Sequence, residues 1–260
     1  MKTTFRVLTI ATALFSILAC NLLTPKPSTD NAPGQTSSSA GSQSSGACAN
    51  ALYPVKQGAT WTYASTGGPT GPSAHTDTIT EVRADGFTLT SQYGSLTRTQ
   101  EWACKPEGLV ALQLGGGPSG AISTSNLQGE FTTSNIQGVT ILSNVTPGSD
   151  WTNSLDIQGK LNMPGGAQAT SQGHVEYHLK GLNMESVTVP AGTFDAMKVS
   201  ADTTITMQVT VQGTSVPVTY TSTSMVWYAP GVGLVKESDT LQSQIFSGTV
   251  ETQLQSYTIP

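Results

Sequence analysis

From Cys48 to Pro260 the chain repeats one pattern: short runs in which apolar and polar residues alternate, each bounded by Gly- or Pro-containing turns. Successive side chains of a strand point to opposite faces, so period-two alternation gives a strand with one apolar and one polar face. The pattern is clear in Thr60-Trp61-Thr62-Tyr63, Phe87-Thr88-Leu89-Thr90, His174-Val175-Glu176-Tyr177-His178-Leu179 and Ile205 to Val211. Asp85-Gly86, 115–118, Pro147-Gly148, 164–166, Gln212-Gly213 and Pro230-Gly231 supply the turn chemistry between such runs. No stretch carries a helical stripe. Polarity comes from 39 Thr and 29 Ser, with charged residues at only 10% of the chain, against about 25% in an average globular protein. The prediction is an all-β domain over 48–260 with about ten mostly antiparallel strands, in a curved sheet, a sandwich or a partly open barrel. Gly58-Ala59-Thr60-Trp61 and Gly148-Ser149-Asp150-Trp151 echo each other. The echo is short, and a single continuous domain is the expectation.

The first 19 residues read as an address. Lys2 and Arg6 form a basic start, and Val7 to Ala19 is an apolar stretch of signal-peptide length, too short to span a bilayer. It ends in Ile17-Leu18-Ala19-Cys20, which resembles the bacterial lipobox, so lipidation of Cys20 and cleavage before it are expected. Acyl chains contribute about 0.8 kcal/mol per buried methylene, so several on one residue anchor a protein without a transmembrane helix. Residues 20–47 are rich in Ser, Gly and Pro and nearly devoid of large apolar side chains. Such a segment cannot bury enough surface to offset its ordering entropy, and it reads as a disordered tether spanning about 30 Å. An extracytoplasmic, lipid-anchored protein on a bacterial membrane is the expected placement. The +2 residue, Asn21, leaves inner or outer membrane undecided.

Cysteine usage follows from that placement. With Cys20 taken by lipid, Cys48 and Cys104 are an even pair in an oxidising compartment, and a disulfide between them is expected. It would join the end of the tether to the strand around Trp102. No Cys-x-x-Cys spacing suggests zinc.

Signals of chemistry are few. The formal charge of -5 argues against binding nucleic-acid phosphates, and no Gly-x-Ser-x-Gly, His-Glu-x-x-His or phosphate-loop motif occurs. His174, Glu176 and His178 would share one strand face and are the candidate metal or acid-base cluster. Positions i and i+4 of a strand lie about 13 Å apart, too far for both rings to ligate one ion unless the strand bends. These residues are therefore expected to form a solvated face and to be dispensable, with no metal or cofactor implied. His75, Asp77 and Glu81 sit in a polar strand and likewise need no function. Trp61 and Tyr63, candidates for stacking on a sugar, are expected to pack in the core.

Two stretches, Val187-Thr188-Val189-Pro190-Ala191-Gly192-Thr193-Phe194-Asp195-Ala196-Met197-Lys198-Val199 and Trp227-Tyr228-Ala229-Pro230-Gly231-Val232-Gly233-Leu234-Val235-Lys236, carry a resemblance. Together with the opening Tyr53 to Tyr63, they are similar to an uncharacterised family of bacterial envelope lipoproteins. The resemblance implies a β-rich fold and a place in the envelope, and transfers no catalytic residues. Pro190, Gly192, Pro230, Gly231 and Gly233 mark its turns. Read from the residues, such turns fix strand register; a mouth flanked by both turns is the functional alternative.

These observations favour a noncatalytic β module that is anchored to the membrane and binds a partner or supports the envelope. The alternative is a carrier of an apolar ligand in a half-barrel cavity, with Ile205 to Val211 lining it; a hydrolase is the third reading. The partner, whether protein, glycan or apolar ligand, is not named by the sequence.

Overall fold

The structure, a computed structural model, describes residue 46 and residues 48–67, 71–113, 128–162, 168–243 and 247–260. The predicted leader, Cys20, the tether up to residue 45 and the expected turns at 115–118 and 164–166 lie outside the described residues. The strands belong to one compact unit, Ala40–Pro260. Among the described residues there are thirteen: β1 (Thr60–Thr66), β2 (Ser73–Val82), β3 (Gly86–Tyr93), β4 (Leu96–Lys105), β5 (Gly108–Ala111), β6 (Gln128–Gly138), β7 (Ile141–Leu142), β8 (Asp150–Asn162), β9 (Gln168–Val189), β10 (Gly192–Val211), β11 (Thr214–Ala229), β12 (Gly233–Ser243) and β13 (Ser247–Thr258). The expectation of about ten fell short because strands such as β6 and β13 carry polar side chains on both faces for part of their length, which erases the alternation.

All thirteen form one antiparallel sheet in the order β6-β8-β9-β10-β11-β12-β13-β1-β2-β3-β4-β5-β7. Two meanders, β8 to β13 and β1 to β5, meet where β13 pairs with β1, placing Tyr63 opposite Leu254. Both edges of the sheet come from the single segment 128–142: β6 pairs with β8 and β7 pairs with β5. One piece of chain can serve both edges only if the sheet rolls round on itself. Gly138 makes the bend between them at φ 72°, and a Cβ there would lie 2.1 Å from the Thr152 carbonyl oxygen. Side-chain bonds join the segment to β5 and its continuation: Thr140 Oγ1 accepts the Ala111 N–H at 2.9 Å, and Thr133 Oγ1 donates to the Leu112 carbonyl. The sheet is not closed by a continuous ladder, so the architecture is a partly open barrel.

Rolling puts one face of every strand inside. Trp61, Ile79, Phe87, Trp102, Val175, Leu179, Val199, Val226 and Leu254 are all at most 2% exposed and belong to one core. Residues 48–59 close one end of this interior. Asn50 Oδ1 accepts the N–H groups of Leu52 and Tyr53, each at 3.0 Å, while its Nδ2 donates to the Leu142 carbonyl at 2.9 Å. That turn drives the Tyr53 ring against Trp61, Phe87 and Trp102, with centroids 5.6, 6.1 and 6.1 Å away. Such stacked contacts add about 0.5 to 1.5 kcal/mol each beyond area burial. A disulfide joins Cys48 to Cys104 of β4, with Cα atoms 4.8 Å apart, within disulfide reach.

The family-like turns belong to this closed end. The Gly231 N–H donates to the Ala51 carbonyl, and Trp61 Nε1 donates to the Val232 carbonyl at 2.6 Å. Gly231 and Gly233 hold φ of 72° and 105°, a region that favours glycine. The Pro190–Gly192 turn between β9 and β10 reaches across to β13, where the Ala191 N–H donates to the Leu254 carbonyl at 3.2 Å. Packing therefore accounts for both turns.

Candidate functional site

The inner face is not uniformly apolar. On β2 the residues in phase with the buried Ile79 are Asp77 and His75; on β12 those in phase with Val235 and Leu241 are Glu237 and Asp239. On β4 the residues in phase with Trp102 are Gln100 and Arg98. Antiparallel pairing sets Asp77 directly opposite Ser91, and Ser91 opposite Arg98. Across the sheet Asp239 lies opposite Ser224, and Glu237 opposite Val226. Asp77 and Glu237 both act on the hydroxyls of Tyr63 and Tyr93, and Arg98 of β4 interacts with Asp77, Tyr93 and Tyr177 of β9. The result is a polar zone of the inner face beside the aromatic floor.

Several oxygens of this zone are enclosed and have no hydrogen-bond partner: Asp77 Oδ1, which has His75 Nε2 at 3.9 Å, Glu237 Oε1 and Asp239 Oδ2. Asp239 is only 2% exposed, and its other oxygen accepts from Ser224 Oγ at 2.7 Å. Gln100 Nε2, on a side chain in phase with Arg98, is enclosed and unpaired as well. Water still reaches part of this zone, since the side chains of His75 and Asp77 keep 14% and 18% of their exposure.

Electrostatics follow from that burial. Loss of solvation raises the carboxyl of Asp77, with opposing contributions from His75, Ser91 and Arg98. It raises Glu237 well above the usual carboxylate range, with the Asp239 charge adding to the effect. Asp239 is pushed up to about 6 by burial, against hydrogen bonds from Ser224 and Ser222. His75 lies between the rings of Tyr63 and Tyr93, with centroids 5.1 and 4.6 Å away. Burial lowers its pKa, against the pull of Asp77, whose Oδ1 is 3.9 Å from Nε2 and beyond hydrogen-bond reach. The reading of His75 and Asp77 as ordinary members of a polar strand is thus corrected: both point inward. Glu81 does not join them, because a register shift between Ile79 and Glu81 sends it outward to pair with Arg83 at 3.2 Å.

His174, Glu176 and His178 lie on the outer face of β9. The two imidazoles pair with different carboxylates: His174 Nδ1 is 2.7 Å from Asp156 Oδ1, and His178 Nε2 is 2.7 Å from Asp150 Oδ1. Asn135 completes the first pair by donating to Asp156 Oδ2 at 2.7 Å, and Lys180 stands 3.6 Å from Asp150 in the second. Glu176 lies between them along the strand and joins neither. Among the described residues no group of three or more His, Cys, Asp and Glu side chains is arranged to hold a metal ion. His174 and Asp156 border an open groove of about 630 Å³ lined by Gln158, Gln172, Gln208 and Thr206.

Trp227 shares the side of the sheet that Lys198 and Lys236 occupy but is buried, at 8% exposure. Its Nε1 donates to Glu185 Oε1 at 2.6 Å, and Lys198 and Lys236 approach its ring to 5.1 and 5.2 Å. Lys198, Trp227 and Lys236 face one another on β10, β11 and β12, so the two family-like stretches meet in space. Trp61 and Tyr63 are packed inside at 1% and 3% exposure.

Residues 153–249 match a family described as DUF3108-like. The matched segment runs from β8 into β13 and contains both stretches that carry the resemblance to an uncharacterised bacterial lipoprotein family. No curated protein matches the chain. Among solved structures it is similar to a Bacteroides fragilis protein described as exported and of YmcC-like fold, with 12% identity, 81% of this chain and 100% of that one covered, and a TM-score of 0.48. A Parabacteroides distasonis protein described as a lipoprotein matches at 18% identity over 81% of this chain and 99% of that one, with a TM-score of 0.44. The hypothetical lipoprotein YmcC of Escherichia coli matches at 11% identity over 78% of this chain and 85% of that one, with a TM-score of 0.35. At these scores no property of those proteins passes to this chain.

Proposed function

We propose that this protein is an extracytoplasmic, noncatalytic binding module, anchored to a bacterial membrane through lipid on Cys20 and carried by the 20–47 tether, with the inner recess of its rolled sheet as the ligand site. The carrying observation is the set of enclosed, unpaired polar atoms on the inner face, Asp77 Oδ1, Glu237 Oε1, Asp239 Oδ2 and Gln100 Nε2. Leaving such groups unpaired costs about 1 to 3 kcal/mol each, an expense that binding a complementary ligand removes. Ionisable groups on the inner face speak against an apolar cargo, since a fatty chain would leave them unpaired. Separate His–Asp pairing on the outer face supports the noncatalytic reading: neither pair has a nucleophile aligned with it, and the imidazoles do not converge.

The anchor is tested by fractionation. Full-chain protein should stay with membranes in high salt, and Cys20→Ala should be released in soluble, folded form; a variant that still sediments with membranes rejects the lipid anchor. The recess is tested by a thermal-shift screen of small molecules on the full chain in detergent. A saturable shift that Gln100→Ala or Asp239→Asn abolishes supports it, and a screen in which every shift survives both substitutions rejects it.

A further inference from the structure

We infer that the open groove on the outer face takes a neutral glycan, a short chain of hydroxyl-bearing rings seated across β8, β9 and β10. It is a second site, separate from the inner recess, and goes beyond the binding-module reading. Strand pairing builds it from two rows of side chains. Gln158, Gln172 and Gln208 stand directly opposite one another on three neighbouring strands, and two residues along the strands Asp156, His174 and Thr206 repeat the arrangement. Pro217 and Thr219 of β11 extend the two rows. Gly173 lies between them, and a Cβ there would come within 2.4 Å of the Thr206 carbonyl oxygen, so β10 approaches β9 more closely than a residue with a side chain allows. At the far end β6 slips register, and Asn135 within that irregularity takes φ 51° and turns its side chain onto Asp156.

Charged ligands do not fit this lining. Asp156 and His174 are its ionisable residues; they are bonded to each other at 2.7 Å, and Asn135 takes the second Asp156 oxygen. The lining thus offers no fixed cation for a phosphate or sulfate and no free carboxylate for an ammonium. An added peptide strand does not fit either. Such a strand needs an exposed sheet edge, and β8, β9 and β10 are each paired with neighbours on both sides.

What remains is a set of carboxamides and hydroxyls. A carboxamide offers two N–H donors and an acceptor, and a hydroxyl both gives and accepts, so each complements a sugar hydroxyl in either sense. The amides of Gln158 and Gln172 are exposed and bond to no described residue, while Gln208 accepts from Ser215 Oγ at 3.3 Å. Strand spacing sets the three positions about 5 Å apart, the scale of one sugar ring. The groove's volume of about 630 Å³ falls within the span of small-molecule sites, about 300 to 1,000 Å³. Pro217 closes the amide row and gives the C–H face of a sugar an apolar surface to rest on.

The test is a printed array of neutral oligosaccharides probed with the full chain in detergent. Isothermal titration follows with the best-bound member, with a sulfated glycan and with an unstructured Gly-Ser-Thr peptide. The expected result is saturable binding of a neutral oligosaccharide that persists in high salt and is unaltered in Asp239→Asn. In Gln172→Ala and in Gln208→Ala it should be about fivefold weaker, the loss of about one hydrogen bond. A thermal unfolding scan confirms that the variants are folded, and ligand-induced changes in the side-chain amide NMR signals of the unaltered protein read the groove without any variant. An array with no bound oligosaccharide, binding unchanged in both Gln variants, or equal binding of the peptide or the sulfated glycan overturns the inference. Oligosaccharide binding that Asp239→Asn abolishes and both Gln variants keep would place the ligand in the inner recess, so the binding-module reading would stand and the groove would fall.

Discussion

Acidic side chains on the two faces of this sheet behave in opposite ways. On the outer face Asp150, Asp156 and Glu185 accept hydrogen bonds from His178, His174 and Trp227, and those bonds hold their carboxyls below the usual range. On the inner face Asp77, Glu237 and Asp239 are pushed above it by burial. The outer groups have partners and water, so their charge is stabilised; the inner ones have lost water without gaining enough partners. A face whose ionisable groups are satisfied needs no ligand, whereas a face whose groups are enclosed and unpaired carries a standing cost that a bound molecule can lift.

This contrast can be broken at three levels. The largest effect is expected at the aromatic floor. Trp61→Ala removes a ring that packs on Tyr53 and donates to Val232, and should cost about 3 to 5 kcal/mol in urea unfolding; a much smaller loss would mean that the inner face is not the core. Next comes the pH dependence of the recess. Asp239 has a folded pKa raised from 3.8 to about 6, so the folded state holds this proton more tightly than the unfolded state. Its contribution is fully present below the unfolded value and is lost as pH rises through the folded one, a swing of about 3 kcal/mol. Asp77 and Glu237 act in the same direction. Urea unfolding from pH 4 to pH 8 should therefore show stability falling across this window on their account, and Asp239→Asn should flatten the fall by about 3 kcal/mol. An unchanged slope would mean that water solvates Asp239 after all.

The smallest effect belongs to the outer face. Depressed Asp150 and Asp156 carboxyls give stability that is present above their unfolded pKa and lost as pH falls through the folded one, the opposite sign to the recess. Both groups are exposed, and exposed ion pairs contribute little. His174→Ala and His178→Ala should leave the urea midpoint at pH 7 unchanged within measurement and leave ligand-induced thermal shifts intact. A lost shift in either variant would move the functional site to the groove beside His174.

Much of the architecture was legible because it rests on local rules. Alternation around Trp61, Phe87, Val175 and Ile205 gives strands and their inward faces, and Pro190-Ala191-Gly192 and Pro230-Gly231 give turns where the chain does reverse. The spacing of His174 and His178 already separates their rings, since that depends only on the rise per residue of a strand. The recess was harder to see, although a trace exists: Glu237 and Asp239 occupy the same alternation phase as Val235 and Leu241, and Asp77 that of Ile79. A charge at an apolar-phase position is a local anomaly, and each one alone reads as a polar strand exposed to water.

By itself, then, the sequence determined strands, turns, inward phase and the residue types available, because each follows from backbone sterics and the burial of apolar side chains within a few neighbours. Only the tertiary structure decided which phases face one another. The roll of the sheet, with segment 128–142 supplying both edges, brings Arg98 of β4 within reach of Tyr177 of β9, and β9 against β12. Electrostatic interaction and loss of solvation depend on distance through space, so the shared action of Asp77 and Glu237 on Tyr63 and Tyr93, and of Arg98 on Tyr177, arose only when the sheet curled.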